Sequence, residues 1–185
     1  MKLSNNERKS NEDGSISRKN KLLRELFGFI KVFILATVFT SIILFFISIN
    51  FVNGDSMYPT LHDGDRFISL NTKINSEIKR GDIVVVELNN SNKYIMEDKL
   101  VKRVIGLPGD TIKIDDGKVF INGKEYKEKY KRDKKAERRS LDIIQLELKE
   151  SQYFIMGDNR NHSSDSRLFG PIDISEIKSK YLFEF

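Results

Sequence analysis

The sequence predicts a mostly β domain carried on a single N-terminal transmembrane helix. Three observations predict it. Residues 32–49, VFILATVFTSIILFFISI, hold no charge; the chain beyond breaks into short apolar runs between turn residues; and Asp-Gly and Asn-Gly pairs stand where tight hairpins would close. With 185 residues there is room for one domain of ordinary size plus appendages.

The anchor comes first. Adding Asn50, Phe51 and Val52 to the uncharged run gives a span of residues 32–52, about 31 Å of helix and enough to cross the hydrocarbon core. Its apolar residues surround the helix on all sides, which argues against a core helix with one buried stripe. The charged leader is too long for a signal-peptide n-region, and no small-x-small pair follows the run, so the segment reads as an uncleaved anchor. Arg18, Lys19, Lys21, Arg24 and Lys31 precede the span, whereas the flank after it, NGDSMYPTLHDGD, is acidic. Residues 1–31 are therefore expected to form a basic cytoplasmic tail, with the domain of residues 53–185 outside. The polar opening of that tail has little to bury and is expected to be disordered.

Charge and composition exclude several functions. The formal charge of +5 is concentrated in residues 1–31, with eight Lys/Arg against four Asp/Glu, while residues 32–185 carry 24 against 23. A nucleic-acid surface is not expected on such a domain. Cysteine is absent, so neither disulfides nor a cysteine-based metal site is available.

In the outer domain, strands are expected at residues 66–70, 82–88, 100–105, 111–114, 118–121, 142–148, 153–156 and 181–185. KIDDGKVF and FINGKEY supply the hairpin turns, and Asp173 followed by Glu176 suits the start of a short helix before the last strand. Residues 124–139, KEYKEKYKRDKKAERR, mix both signs and read as a solvated extension, with attraction to anionic lipid as a second reading.

The chemistry concentrates in GDSMYPTL (54–61), GDIVVVEL (81–88), KRVIGLPGD (102–110) and GDNRNHSSDSRLFGPI (157–172). Ser56 follows the apolar run by four residues, at most about 14 Å of extended chain, which tethers it at or near the membrane surface. A serine in a Pro-containing turn can present its hydroxyl, but a free serine is a poor nucleophile and needs a base. His62 lies too close to Ser56 in the chain, and His162 too close to Ser163, for the convergence from separate elements that a triad requires. Lys102 lies inside an apolar strand. An exposed lysine, with a free pKa of about 10.4, is almost wholly protonated at pH 7, whereas burial lowers that value and makes the amine a competent base. The residues alone leave both conditions of Lys102 open.

Together, in this order and after such an anchor, the four segments resemble bacterial type I signal peptidases, membrane-anchored serine–lysine proteases that remove secretory signal peptides. The resemblance implies a β-rich signal-peptidase-type catalytic domain, with Ser56 as nucleophile and Lys102 as general base. Ser163 would hydrogen-bond and orient the lysine amine, Asp165 and Arg167 would brace the site, and Asp158 and Arg103 would support it. Met57 and Pro59 would shape the turn and the pocket walls. Substrates would be preproteins with small residues near the cut, and neither metal nor other cofactor would be needed. Part of the family has an oxyanion-hole serine where this chain has Gly54, so backbone N–H groups would carry that role. The short segment before GDNR is similar to the compact Gram-positive type. Two rivals share features with this reading: a self-cleaving repressor-type serine–lysine protease, which would carry a DNA-binding module, and a catalytically silent, membrane-tethered assembly or chaperone protein.

Overall fold

The computed structural model describes residues 3–72, 77–88, 99–130 and 144–185. The chain divides into two units, Met1–Phe45 and Phe46–Phe185. The first is a single helix, α1 (Leu3–Phe46). Its portion Arg18–Phe46 is, among the described residues, the one helix long and apolar enough to cross a membrane. Two expectations change here. The polar opening continues the helix instead of being disordered, and the helix stops at Phe46 although the apolar run continues to Val52. Ile47–Phe51 forms a strand, β1, in register with residues 66–70. An apolar run satisfies either structure, and here the β-rich Ile-Ser-Ile-Asn-Phe has a partner strand whose backbone groups it can pair. The intervening strand lengthens the path from helix to Ser56 beyond the four residues counted from Val52.

The second unit holds two antiparallel sheets. Its strands after β1 are β2 (Arg66–Asn71), β3 (Ile83–Glu87), β4 (Lys99–Gly106), β5 (Thr111–Asp115), β6 (Lys118–Ile121), β7 (Lys124–Glu125), β8 (Ile144–Glu147), β9 (Gln152–Met156), β10 (Ile172–Asp173) and β11 (Ile177–Glu184). Seven strands form the larger sheet in the order β1-β2-β11-β3-β4-β9-β10, and four form the smaller in the order β7-β6-β5-β8. All eight expected strands have counterparts, with Asp142 and Ile143 outside the described residues; β1 and the two-residue strands β7 and β10 were not expected. The two hairpin turns form with Asp116 at φ 47° and Gly117 at 71°, and Asn122 at 50° and Gly123 at 78°, the paired positive angles that match strand twist. Asp173 caps a 3-10 turn, Ile174–Glu176, in a reciprocal capping box with Glu176.

β3 explains why GDIVVVEL lacks alternation. Val84 and Val86 pack into one cluster with Val104, Ile155 and Ile177, while Ile83 and Val85 pack into another with Met57, Leu61 and Phe67. The strand is buried on both faces and reads as a continuous apolar run.

Asp110 ties the sheets together where β4 passes into β5. It accepts from Leu107 N at 2.7 Å, Arg80 Nη2 at 2.9 Å and Asn122 Nδ2 at 2.9 Å, while Arg80 Nη1 donates to Ile105 O at 2.5 Å. Part of the charged run departs from its expected solvated state: Tyr126 N donates to Val119 O at 2.8 Å, and the Glu128 side chain is 1 % exposed. Residues 131–139 of that run lie outside the described residues. Mixed charge read as solvation because its partners, distant in sequence, left no local pattern.

Asp110→Ala should remove three hydrogen bonds from a buried carboxylate and leave Arg80 without its counter-charge, costing about 3–5 kcal/mol. Denaturant unfolding of the full chain in detergent checks this, and a loss below about 1 kcal/mol would contradict the joint.

Candidate active site

Ser56 lies in the turn after β1, and Lys102 lies on β4. Lys102 is 3 % exposed, and its Nζ donates to Ser56 Oγ at 2.8 Å and to Val101 O at 3.0 Å. Residues separated by 46 positions are thus in direct contact. Successive strand residues project to opposite sides, so β4 can deliver an amine to one group and a guanidinium to another. The guanidinium is Arg103. Its Nε and Nη2 donate to Asp158 at 2.8 and 2.6 Å, and its Nη1 donates to Gly81 O at 2.7 Å. Thr60 Oγ1 adds a bond to Asp158, so the carboxylate joins the Ser56 turn to the strand that carries Lys102. Burial alone would lower the Arg103 pKa, but the hydrogen bond and charge of Asp158 hold it above its ordinary value.

The 157–167 box supplies the other wall. Asp165 is fully buried at the N-cap of a one-turn helix, α2 (Ser166–Phe169), where it accepts from Gly157 N at 2.9 Å and from Arg167 Nε and Nη2 at 2.8 and 2.9 Å. Burial opposes its ionisation, yet the Arg167 hydrogen bond and charge, the Gly157 N–H and the nearby Ser163 hydroxyl together keep its pKa below the usual carboxylate range. Gly157 has no room for a side chain: a Cβ there would lie 2.3 Å from Ser163 Oγ and 2.5 Å from Ser56 O. Asn159 N donates to Ser56 O at 3.0 Å, and Asn159 Nδ2 donates to Asp55 O at 3.0 Å, fixing the backbone on both sides of the Ser56 amide.

Ser163 stands differently from expectation. Its hydroxyl is buried and forms no hydrogen bond of ordinary geometry among the described residues, although it approaches Asp165 closely enough to favour the carboxylate. The expected bond to the Lys102 amine is not formed in this structure. Met57 is 1 % exposed and packs in the core beneath the turn with Leu61 and Phe67, whereas Pro59 faces solvent. Gly54 has φ 79°, a conformation that would strain a serine, and its N–H is occupied by Asp63 Oδ1 at 2.7 Å. Both histidines are exposed. His62 pairs with Asp65 at 3.4 Å, and neither histidine bonds to Ser56. Among the described residues, no group of three His, Asp or Glu side chains is placed to hold a metal ion.

The sequence comparisons show the family. The family model for signal peptidase, peptidase S26, matches residues 26–185. The chain belongs to the signal peptidase family. It is 37% identical over 183 residues to a signal peptidase I from Bacillus licheniformis, covering 94% of each chain. It is 38% identical over 162 residues to signal peptidase I S from Bacillus subtilis, covering 83% of this chain and 82% of that one. A crystal structure of a signal peptidase I from Enterococcus faecalis V583 aligns at 26% identity with a TM-score of 0.48, covering 58% of this chain and 98% of that one. The protein is accordingly a serine peptidase of the signal peptidase I type, a membrane protein with an N-terminal anchor helix, and its substrates are preproteins.

Around the peptidase site, sequence reasoning passed over Thr60, Gly157 and Asn159. Thr60 and Gly157 lay inside the quoted motifs, but nothing in a linear string says that a glycine is there because Ser56 and Ser163 close on it. The bonds of Asn159 to residues 55 and 56 cross 104 and 103 positions respectively.

Because the folded-state pKa of Asp165 is depressed, its contribution to stability is present above the ordinary carboxylate value and is lost as pH falls through the folded value. Asp165→Asn should therefore destabilise the protein near neutrality by about 3–5 kcal/mol, and the gap from wild type should narrow below about pH 4. Denaturation of both proteins across that range is the measurement; a gap independent of pH would contradict the assignment.

Proposed function

We propose that Ser56 and Lys102 form the catalytic dyad that removes signal peptides from preproteins, on the outer face of the membrane. The observation that carries this reading is the 2.8 Å contact between Ser56 Oγ and the buried Lys102 Nζ. Burial among protein groups favours a neutral amine over an ammonium. In the neutral form the bond runs the other way, with the Ser56 hydroxyl donating to Nζ, which is the arrangement a general base needs.

The reaction then follows from the geometry. Ser56 Oγ attacks the scissile carbonyl carbon while its proton passes to Lys102 Nζ. The negative charge that develops on the carbonyl oxygen meets the Ser56 N–H, which has no acceptor among the described residues. Collapse breaks the C–N bond, the ammonium returns its proton to the leaving amine of the mature protein, and an ester to Ser56 remains. Lys102 next takes a proton from water, whose oxygen attacks the ester carbonyl; as the C–Oγ bond breaks, the ammonium returns that proton to Ser56 Oγ, and the signal peptide leaves as an acid that ionises to its carboxylate.

The supporting roles follow the same frame. Arg103 with Asp158 fixes the nucleophile turn to β4, Arg167 with Asp165 fixes the box, and Ser163 orients the amine once its hydroxyl turns toward Nζ. Met57 supports the turn from the core, and Pro59 lies on the solvent side where an extended substrate would pass. Small pockets before the cut would take Ala-like side chains. The excess of Lys/Arg before the span supports an N-terminus inside and a catalytic unit outside.

Ser56→Ala and Lys102→Ala should each abolish cleavage of a labelled preprotein while leaving the fold intact, and His62→Ala and His162→Ala should retain it. Equal losses in a histidine variant would sink the dyad, and inactivity of the folded wild type toward every preprotein would favour a silent tethered protein.

The rate should also rise with pH, since only the neutral amine accepts the serine proton. A profile flat from about pH 5 to about pH 9, with chemistry rate-limiting, would rule out a titrating lysine base.

A further inference from the structure

We propose that Glu128 is a positioning residue for the peptidase reaction, acting through Arg160 on the backbone that holds the Ser56 turn. The inference rests on the Ser56–Lys102 reading of the site. Glu128 lies three residues beyond β7, outside every motif, in a stretch that sequence alone treats as solvated. Yet its side chain is 1 % exposed and that of Arg160 is 3 % exposed. Arg160 Nη1 donates to Glu128 Oε2 at 2.8 Å, and Arg160 Nη2 donates to Oε1.

A guanidinium is a rigid planar fork, so a carboxylate that grips its two terminal nitrogens also aims the third. Here the third nitrogen, Arg160 Nε, donates to Gly157 O at 3.0 Å. The Gly157 N–H is already held by Asp165 at 2.9 Å. Gly157 is thus clamped from both sides, and it is the residue whose Cα closes directly on Ser56 O and Ser163. Arg160 also accepts, through its backbone oxygen, a 2.6 Å bond from Arg167 Nη2, the same nitrogen that pairs with Asp165. The Glu128–Arg160 pair therefore closes a ring of charge-assisted bonds around one glycine.

Tyr130, two residues on, covers the other supporting arginine, its ring centroid 4.0 Å from the Arg103 guanidinium carbon. One segment thereby braces both Arg160 and Arg103. Without the Glu128 charge, Arg160 would be left buried without its counter-ion, which drives the guanidinium toward water and releases Gly157 O. Ser56 would then shift relative to Lys102, and a displacement of about 1 Å at reacting atoms can cost about 100-fold in rate. The competing reading is an ion pair that only stabilises the fold. That reading predicts fewer folded molecules, each with normal turnover.

The test is kinetic, on the full chain in detergent, with a short peptide carrying alanines at the cut and at the second residue before it. Turnover is counted per folded molecule. Glu128→Gln should lower kcat by about tenfold or more with KM within about twofold, and the exposed neighbour Glu125→Gln should leave both unchanged. Adding Glu128→Gln to Arg160→Met should change kcat by less than about twofold, because the pair acts as a unit. Normal kcat in folded Glu128→Gln, or losses that multiply in the double variant, would overturn the proposal. If Glu128→Gln fails to fold, the double variant, which buries no unpaired charge, is compared with Arg160→Met: equal turnover supports the proposal and a further tenfold loss overturns it. Ser56→Ala is run alongside. Its silence with unimpaired Glu128→Gln sinks only this inference, whereas its retained activity would remove the reading beneath it.

Discussion

Gly157 is the place on which the arrangement around Ser56 depends. The backbone there approaches Ser56 and Ser163 so closely that a Cβ would lie within 2.6 Å of three of their atoms. Real Cβ atoms do not tolerate such distances, and one of the contacts is a backbone oxygen that no rotamer change can move. The close approach brings the 157–167 box against the Ser56 turn, and everything that holds Gly157 also holds Ser56. Its N–H and C=O are both bonded, to Asp165 and Arg160, and the chain two residues on bonds the Ser56 carbonyl.

Three arginine–carboxylate pairs surround that contact: Arg103 with Asp158, Arg167 with Asp165, and Arg160 with Glu128. Buried pairs of this kind are weak contributors to stability, because the cost of desolvating two ions roughly offsets their attraction. Their strength is geometric. Bidentate guanidinium contacts fix orientation as well as distance, and removing one partner leaves a buried charge that the fold resists. The pairs join three separate stretches of chain, β4, the box and the segment after β7, and the Thr60 hydroxyl on Asp158 adds the Ser56 turn to the same frame. A serine and a lysine held 2.8 Å apart in such a frame require no rearrangement to exchange a proton, the condition that the proposed base catalysis imposes.

How far the sequence reached depends on which signals are local. The hairpin turns were legible because Asp-Gly and Asn-Gly carry their backbone angles with them. β3 was legible as a strand from its β-branched run, although its double burial was not. The end of α1 was misjudged because apolar residues serve a membrane helix and a strand equally, and only the pairing with β2 distinguishes them. The site residues came from motifs whose order and spacing are specific, yet the condition of Ser163, buried and without a hydrogen bond of ordinary geometry among the described residues, could not be read from them.

By itself the sequence determined the apolar length that makes an anchor, the β-rich character of the chain beyond that anchor, and the presence of a serine, a lysine and paired ions as chemical parts. Those properties depend on composition and on periods of a few residues, which a linear string contains. Tertiary structure alone decided that Lys102 meets Ser56 across 46 positions, that a strand intervenes between the helix and Ser56, and that a glutamate in a charged run is buried against Arg160 across 32. Each of these is a contact between distant residues. Its energy depends on burial and mutual orientation, and neither exists until the sheets have formed.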